Sequence, residues 1–119
     1  MSFIKAGGKA VEGTCIGADY ALSNPSPMNQ AFVKAYQVRY KAAPDAGAGL
    51  GYSLGRVAVA AVRNARPNPD RQKFRDELAK LNNVPVVLGN GTWGMDAGRN
   101  PQYGVLLLLV KDGKFIAVQ

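Results

Sequence analysis

Two apolar runs, residues 105–110 and 115–118, flank the tetrapeptide Lys111-Asp112-Gly113-Lys114, and this arrangement constrains the fold more than any other feature. An Asp-Gly pair between extended apolar segments favours a two-residue type I′ turn. Both central positions of that turn need positive φ, which these residue types adopt at low cost. The chain is therefore expected to close on an antiparallel β-hairpin. Its apolar strands then need a partner elsewhere.

Upstream, the punctuation and periodicity predict helices. Ser26 followed by Pro27 supplies an N-cap with proline at the first helical position. Phe32, Val33, Tyr36 and Tyr40 then recur at three-and-four spacing, placing an aromatic stripe on a helix that runs to about residue 42, before Pro44. A glycine-alanine loop over residues 45–49 is expected next, with a second helix starting near Leu50. Leu54, Val57, Ala58, Ala61, Val62 and Ala65 trace a wide apolar face on it, which predicts the most buried helix of the chain. Pro67 and Pro69 end it. Asp70 can cap a third helix carrying the narrow stripe Phe74, Leu78 and Leu81.

Strand signals are shorter. Residues 12–18 read as a short strand with loose glycine ends. Residues 84–88 are apolar and β-branched but contain Pro85, so they suit an edge strand or an extended connector. Gly89-Asn90-Gly91 forms a turn, Thr92 and Trp93 begin another extended piece, and residues 95–100 read as a polar loop. The sum is an α/β chain of about three helices, short strands and a C-terminal hairpin, a single segment over residues 1–119.

Composition narrows the chemistry. Hydrophobic residues make up 47% and charged residues 19% of the 119, the balance of a packed globular chain of one domain at most. The 15 Lys and Arg against 8 Asp and Glu leave a charge of +7. The cations are interspersed among apolar positions at helical spacing, as on solvated helix faces, so no nucleic-acid partner is expected. With no histidine and one cysteine, the usual triads, dyads and structural zinc sites lack their parts. Cys15, among Gly, Thr and Ile, is expected to be a small buried thiol. Asp96 and Asp112 read as solvated turn residues. Gly47-Ala48-Gly49-Leu50-Gly51 resembles a phosphate loop only in its glycines, lacking a preceding strand and a Lys-Ser/Thr ending. The N-terminal stretch has no sustained apolar region, so no signal peptide is expected within this chain.

Several short motifs, taken in order, resemble a known family. They are Ala10-Val11-Glu12-Gly13-Thr14, then Asn29-Gln30-Ala31-Phe32-Val33-Lys34-Ala35-Tyr36 with Arg39-Tyr40 and Pro44-Asp45, then Leu50-Gly51-Tyr52 and Phe74-Arg75-Asp76-Glu77-Leu78. Gly89, Thr92-Trp93, Asp96-Ala97-Gly98-Arg99-Asn100-Pro101 and Val110-Lys111-Asp112-Gly113-Lys114-Phe115 follow. Together they resemble the C-terminal part of type I periplasmic solute-binding proteins, the branched-chain amino-acid-binding family of ABC importers.

That resemblance implies a partial periplasmic-binding-protein-like fold. Residues 10–88 would be the second half of the first lobe, 89–104 a connector crossing the hinge, and 105–119 a hairpin of the second lobe. It further implies a non-enzymatic protein without cofactor or metal, which traps a small solute such as an amino acid or an aromatic carboxylate between two lobes. An ABC permease would be its partner and the periplasm the compartment of the parent protein. The resemblance places Gly47 and Ala48 near the cleft, as candidate ligand-binding residues. Complete members are far longer, so the chain reads as truncated.

Two other readings stand beside this one. Missing sheet partners would leave strand edges and the faces of Val57, Ala61 and Val62 uncovered, which predicts a self-associating module and a homo-oligomer. A small phosphate- or nucleotide-handling enzyme domain would use residues 47–51.

Overall fold

The structure, a computed structural model, describes residues 3–118; Met1, Ser2 and Gln119, the ends of the expected segment, lie outside the described residues. In chain order the elements are α1 (Phe3–Gly7), a 3-10 turn (Gly8–Val11), β1 (Cys15–Ala18), α2 (Pro27–Tyr40), α3 (Ala46–Asn64), α4 (Arg71–Lys80), β2 (Val84–Pro85), β3 (Thr92–Met95), β4 (Pro101–Gln102), β5 (Leu106–Lys111) and β6 (Lys114–Val118). They form two antiparallel sheets, of strand order β1-β5-β6 and β2-β3-β4. The α/β reading holds, with α1 as a short fourth helix.

The expected hairpin forms between β5 and β6, with Asp112 at φ 52° and Gly113 at φ 68° and Lys111 opposite Lys114. Its apolar strands find their partner at the other end of the chain. β1 pairs antiparallel with β5, Cys15 opposite Leu109 and Ala18 opposite Leu106. Just before β1, the Gly13 amide donates to the Val110 carbonyl and the Val110 amide to the Thr14 carbonyl, two residues facing one as in a bulge. Glu12 then reaches the turn itself, where its two carboxylate oxygens accept the amides of Asp112 and Gly113. The outer edge of β6 is bracketed by Ser23, whose hydroxyl donates to the Phe115 carbonyl and accepts from the Ala117 amide. One side chain thus occupies an edge acceptor and an edge donor that an incoming strand would otherwise use.

Helix starts follow their caps. Ser26 Oγ accepts from the Asn29 amide ahead of α2, and Asp70 accepts from the Lys73 amide at 2.8 Å ahead of α4. α2 stops at Tyr40 because Lys41 turns to φ 56°. The start of α3 corrects the sequence expectation: the helix begins at Ala46, not near Leu50. The reason is Asp45, which accepts from the Ala48 amide at 2.8 Å and so nucleates the helix through a glycine-rich turn.

The buried line of α3 is also different from the expected apolar face. Gly49, Ser53, Val57 and Ala61, spaced by four, are the buried residues, whereas Leu54 is 70% and Val62 40% exposed. Small residues let α3 lie close to residues 86–88, which are buried outside any ladder because Pro85 ends β2. Two of their amides are satisfied: Val86 donates to the Gly91 carbonyl and Val87 to Ser53 Oγ. Val57, Ala61, Val84, Val86, Val87 and Leu88 build the core with Tyr20, Phe32 and Leu81. Cys15 corrects a second expectation, since it is exposed. It shares the open face of β1 with Gly17, while Ile16 and Ala18 turn inward.

Two predictions follow from these contacts. Glu12→Ala leaves two turn amides without their acceptor and should lower stability by about 1–2 kcal/mol in urea denaturation; an unchanged midpoint would show that the clamp is idle. In the β3–β4 turn, the Asn100 amide, the Asn100 side chain, the Gly98 amide and the Gln102 side chain hold the Asp96 carboxyl below its ordinary value. A depressed folded pKa contributes stability that is present above the unfolded value and is lost as pH falls through the folded one. Trp93 fluorescence should therefore report loosening of this hairpin below about pH 4, and Asp96→Asn should abolish the acid transition.

Candidate functional site

The chain passes between the two sheets twice, at Asp19 and Tyr20 after β1 and at Tyr103 and Gly104 before β5. The tip of the loop between β2 and β3 closes on both crossings. The Gly89 amide donates to the Asp19 carbonyl at 2.8 Å, and the Asn90 amide to the Tyr103 carbonyl at 2.9 Å. Gly89 sits at φ +44°, where a Cβ would stand 1.8 Å from the Tyr103 carbonyl oxygen. No side chain fits there. The loop entering α2 adds a third tie, from Asn24 Nδ2 to the Gly89 carbonyl, and Asn24's own carbonyl accepts from the side chains of Asn29 and Gln30. A groove of about 480 Å³ runs along this junction, walled by Asn24, Ser26, Asn90, Leu107 and Val118.

The second feature is the start of α3. Gly47 and Ala48, the candidate ligand residues, lie in its first turn, with the Ala48 amide donating to Asp45. The neighbouring Gly49 is buried because the Tyr20 ring lies on it, 2.5 Å from where a Cβ would be. Tyr20 is nine-tenths buried, packed edge-on to Phe32, and its hydroxyl has no hydrogen-bond partner among the described residues. Burial raises the phenol above its ordinary pKa, and the Asp45 carboxylate adds to the shift. The junction and the helix start are thus one structural unit, joined through Tyr20. Tyr52 stacks on Phe32 at 4.6 Å between centroids and carries Arg56 over its face, a packing role.

Gly47 and Ala48 are the residues the family resemblance singles out, whereas Tyr20, Asn24, Asn29 and Gly89, which hold the junction, carry no such signal in the sequence. Asn24 and Asn29 read as turn and helix polar residues, and only their burial reveals the web they make. Among the described residues no group of three or more His, Cys, Asp or Glu is placed to hold a metal ion.

A framework of two small sheets tied at a glycine junction can be compared with known proteins. The sequence profile of the periplasmic binding protein family matches residues 2–114. The chain belongs to that family. A solved structure described as a putative branched-chain amino acid ABC transporter from Rhodospirillum rubrum is 32% identical, with a TM-score of 0.84, over 98% of this chain and 33% of its own. A leucine-binding protein from Thermotoga maritima is 29% identical, with a TM-score of 0.80, again over 98% of this chain and 33% of its own. A solute-binding protein of an ABC transporter from R. palustris, solved with benzoate, is 26% identical over 97% of this chain and 31% of its own, at a TM-score of 0.77. No curated protein matches. The chain thus spans about a third of the length of these binding proteins, and family and fold are those of solute-binding proteins. None of the helices is long and apolar enough to cross a membrane, among the described residues.

The Tyr20–Gly49 contact predicts opposite signs for two glycines one turn region apart. Gly49→Ala should destabilise by about 1–3 kcal/mol because the methyl group meets the ring. Gly51→Ala points into open space and should stabilise by up to about 1 kcal/mol through helix propensity. Thermal melts of the two variants check both; equal shifts would refute the contact.

Proposed function

We propose that this chain is a segment of the substrate-binding component of an ABC importer, non-catalytic, whose parent captures an amino acid or a related small carboxylate and delivers it to an ABC permease from the periplasm. The observation that carries this reading is the junction at Gly89, which ties two sheet units through backbone contacts beside a groove between the β5–β6 hairpin and the loops at Asn24 and Asn90. Two bodies on a short pivot suit closure around a solute. The relatives' ligands, leucine and benzoate, share a carboxylate.

On this reading residues 89–104 are the connector across the hinge and 105–119 the hairpin of the second lobe. β1 pairs with that hairpin, so the first-lobe part of residues 10–88 is the stretch from α2 onward. Gly47 and Ala48 would face the cleft from the first turn of α3. Ala48's amide is engaged by Asp45 and its methyl group packs on the core, so the pair would contribute chiefly the backbone of Gly47. The buried, unpartnered Tyr20 hydroxyl beside Asp45 supports a polar site at this end of the helix.

A chimera tests the reading: this chain replaces the third that it matches in the T. maritima leucine-binding protein. Calorimetric titration should show leucine or benzoate binding to the chimera and none to the isolated chain. Gly47→Leu costs the helix nothing in propensity, and in the chimera it should weaken binding at least about tenfold, about 1.4 kcal/mol. Undiminished affinity would remove Gly47 from the site, and a folded chimera that binds neither solute would sink the solute reading.

A further inference from the structure

A tyrosine and two arginines of α3 line a groove that the junction and the helix start do not use. About 550 Å³ of space lies between α3 and β2, walled by Tyr52, Arg56, Val59, Arg63, Val84 and Pro85. A two-residue step on a helix turns about 200°, so Tyr52 and Arg56 stand on the opposite flank of α3 from Leu50 and Leu54. Gly51 and Gly55, at the rim, leave open space where side chains would stand. Val59 is 48% exposed.

Arg56 is held in place in this groove. Its Nε donates to the Pro85 carbonyl at 2.7 Å, its Nη1 donates to the Tyr52 hydroxyl at 3.4 Å, and its guanidinium carbon lies 5.9 Å from the Tyr52 ring centre. Nη2 is left without a partner among the described residues. A guanidinium fixed in this way loses less freedom when it meets a carboxylate. Arg63, about two turns further on, is exposed, and α3 contains no acidic residue. Among the described residues the ion pairs are those of Arg75 with Asp76 and of Lys80 with Glu77, both on α4. The groove thus carries two cations that no carboxylate of the chain neutralises.

We propose that this groove docks an acidic amphipathic helix of another protein, one with two carboxylates seven residues apart and an apolar residue between them. The spacing selects a helix. Arg56 and Arg63 stand about 10.5 Å apart along α3, the rise of seven residues on a helix lying beside it. On a strand, positions of one face recur at about 6.7 Å and 13.4 Å, and neither fits. Val59 supplies the apolar contact between the two cations, and bare glycines at the rim allow a neighbouring backbone to come close. A second copy of this chain is the poorer occupant. The acidic residues within its described helices are Asp76 and Glu77, both already paired, and a charge of +7 makes two copies repel. An anionic membrane is also poorer, because the Pro85 carbonyl draws Arg56 against the groove wall instead of letting it project. The inference goes beyond the importer reading and stands without it.

A labelled, end-blocked peptide of about 20 residues and high helix propensity, carrying two glutamates seven residues apart with a leucine between them, tests this on the chain by fluorescence anisotropy. Binding should saturate and weaken at least about fivefold between about 0.05 M and about 0.5 M salt. The same peptide with glutamine at both positions should bind at least about tenfold more weakly. Arg63→Ala should weaken binding of the acidic peptide at least about threefold, with an unchanged melting curve because Arg63 is exposed. Arg56→Lys keeps the charge but loses the seat on Pro85 and Tyr52, and should weaken binding as much. Lys34→Ala, at an exposed cation of α2 outside the groove, should change nothing. If Arg56→Lys fails to fold, Arg63→Ala and the glutamine peptide decide alone. Equal affinity for the two peptides, an equal loss with Lys34→Ala and Arg63→Ala, or no binding below about 1 mM overturns the inference. Phosphatidylglycerol vesicles that bind through Arg63 where the peptide does not, or a dimer in sedimentation that Arg63→Ala dissociates, would name the membrane or a second copy as the occupant and overturn it too.

Discussion

Gly89 is the point at which the two sheets are held together. Its amide is committed to the Asp19 carbonyl, and the space a Cβ would fill is taken by the Tyr103 and Gly104 carbonyl oxygens. The end of β1 and the lead-in to β5 are thereby brought within hydrogen-bonding distance of one loop tip. Since β1 and β5 also pair with each other, the first sheet is anchored at its base before any side chain packs. Removing that close approach would separate the hairpin sheet from the helices, because few other contacts reach across. The polar web of Asn24 and Asn29 extends the tie into the first turn of α2.

The same economy of backbone approach shapes α3. A helix whose buried line is Gly49, Ser53, Val57 and Ala61 gains little from hydrophobic area per residue. It gains proximity instead, to Tyr20 at one end and to the buried residues 86–88 in the middle. Ser53 is the instructive member. A serine at a fully buried position would be costly if unpaired, yet here it replaces the ladder partner that Pro85 denies the neighbouring segment. The large apolar residues of α3, Leu50 and Leu54 among them, lie on the other side and lack cover.

What was legible in the sequence was local. The Asp112-Gly113 turn, the Ser26-Pro27 start and the Asp70 cap each depend on a few adjacent residues whose conformational preferences are intrinsic, and each appears as expected. Asp45 is an equally good cap, but the glycines after it argue locally against a helix, and the contact that favours one, Tyr20 on Gly49, is distant in sequence. Small apolar neighbours suggest burial for Cys15; its exposure is set by the alternation of β1, which puts Cys15 and Gly17 on the open face of the sheet. The pairing of β1 with β5 joins residues some ninety positions apart and leaves no local trace. For the candidate site, Gly47 and Ala48 came from resemblance, whereas Gly89, Tyr20 and Asn24 matter through contacts that no periodicity encodes.

The distribution of ionisable groups indicates what such a chain contributes to a binding protein. Tyr20 is shifted by burial, Asp96 by the amides and side chains of its turn, and Lys80 by its exposed pair with Glu77. Each cause is structural. The most tightly constrained positions, Gly89, Gly49 and Ser53, regulate how closely main chains approach rather than presenting reactive atoms. A framework of this kind fixes how closely the two sheets and α3 approach one another. On the proposed function, charge recognition of a solute would come from side chains that the rest of the parent supplies, not from this segment.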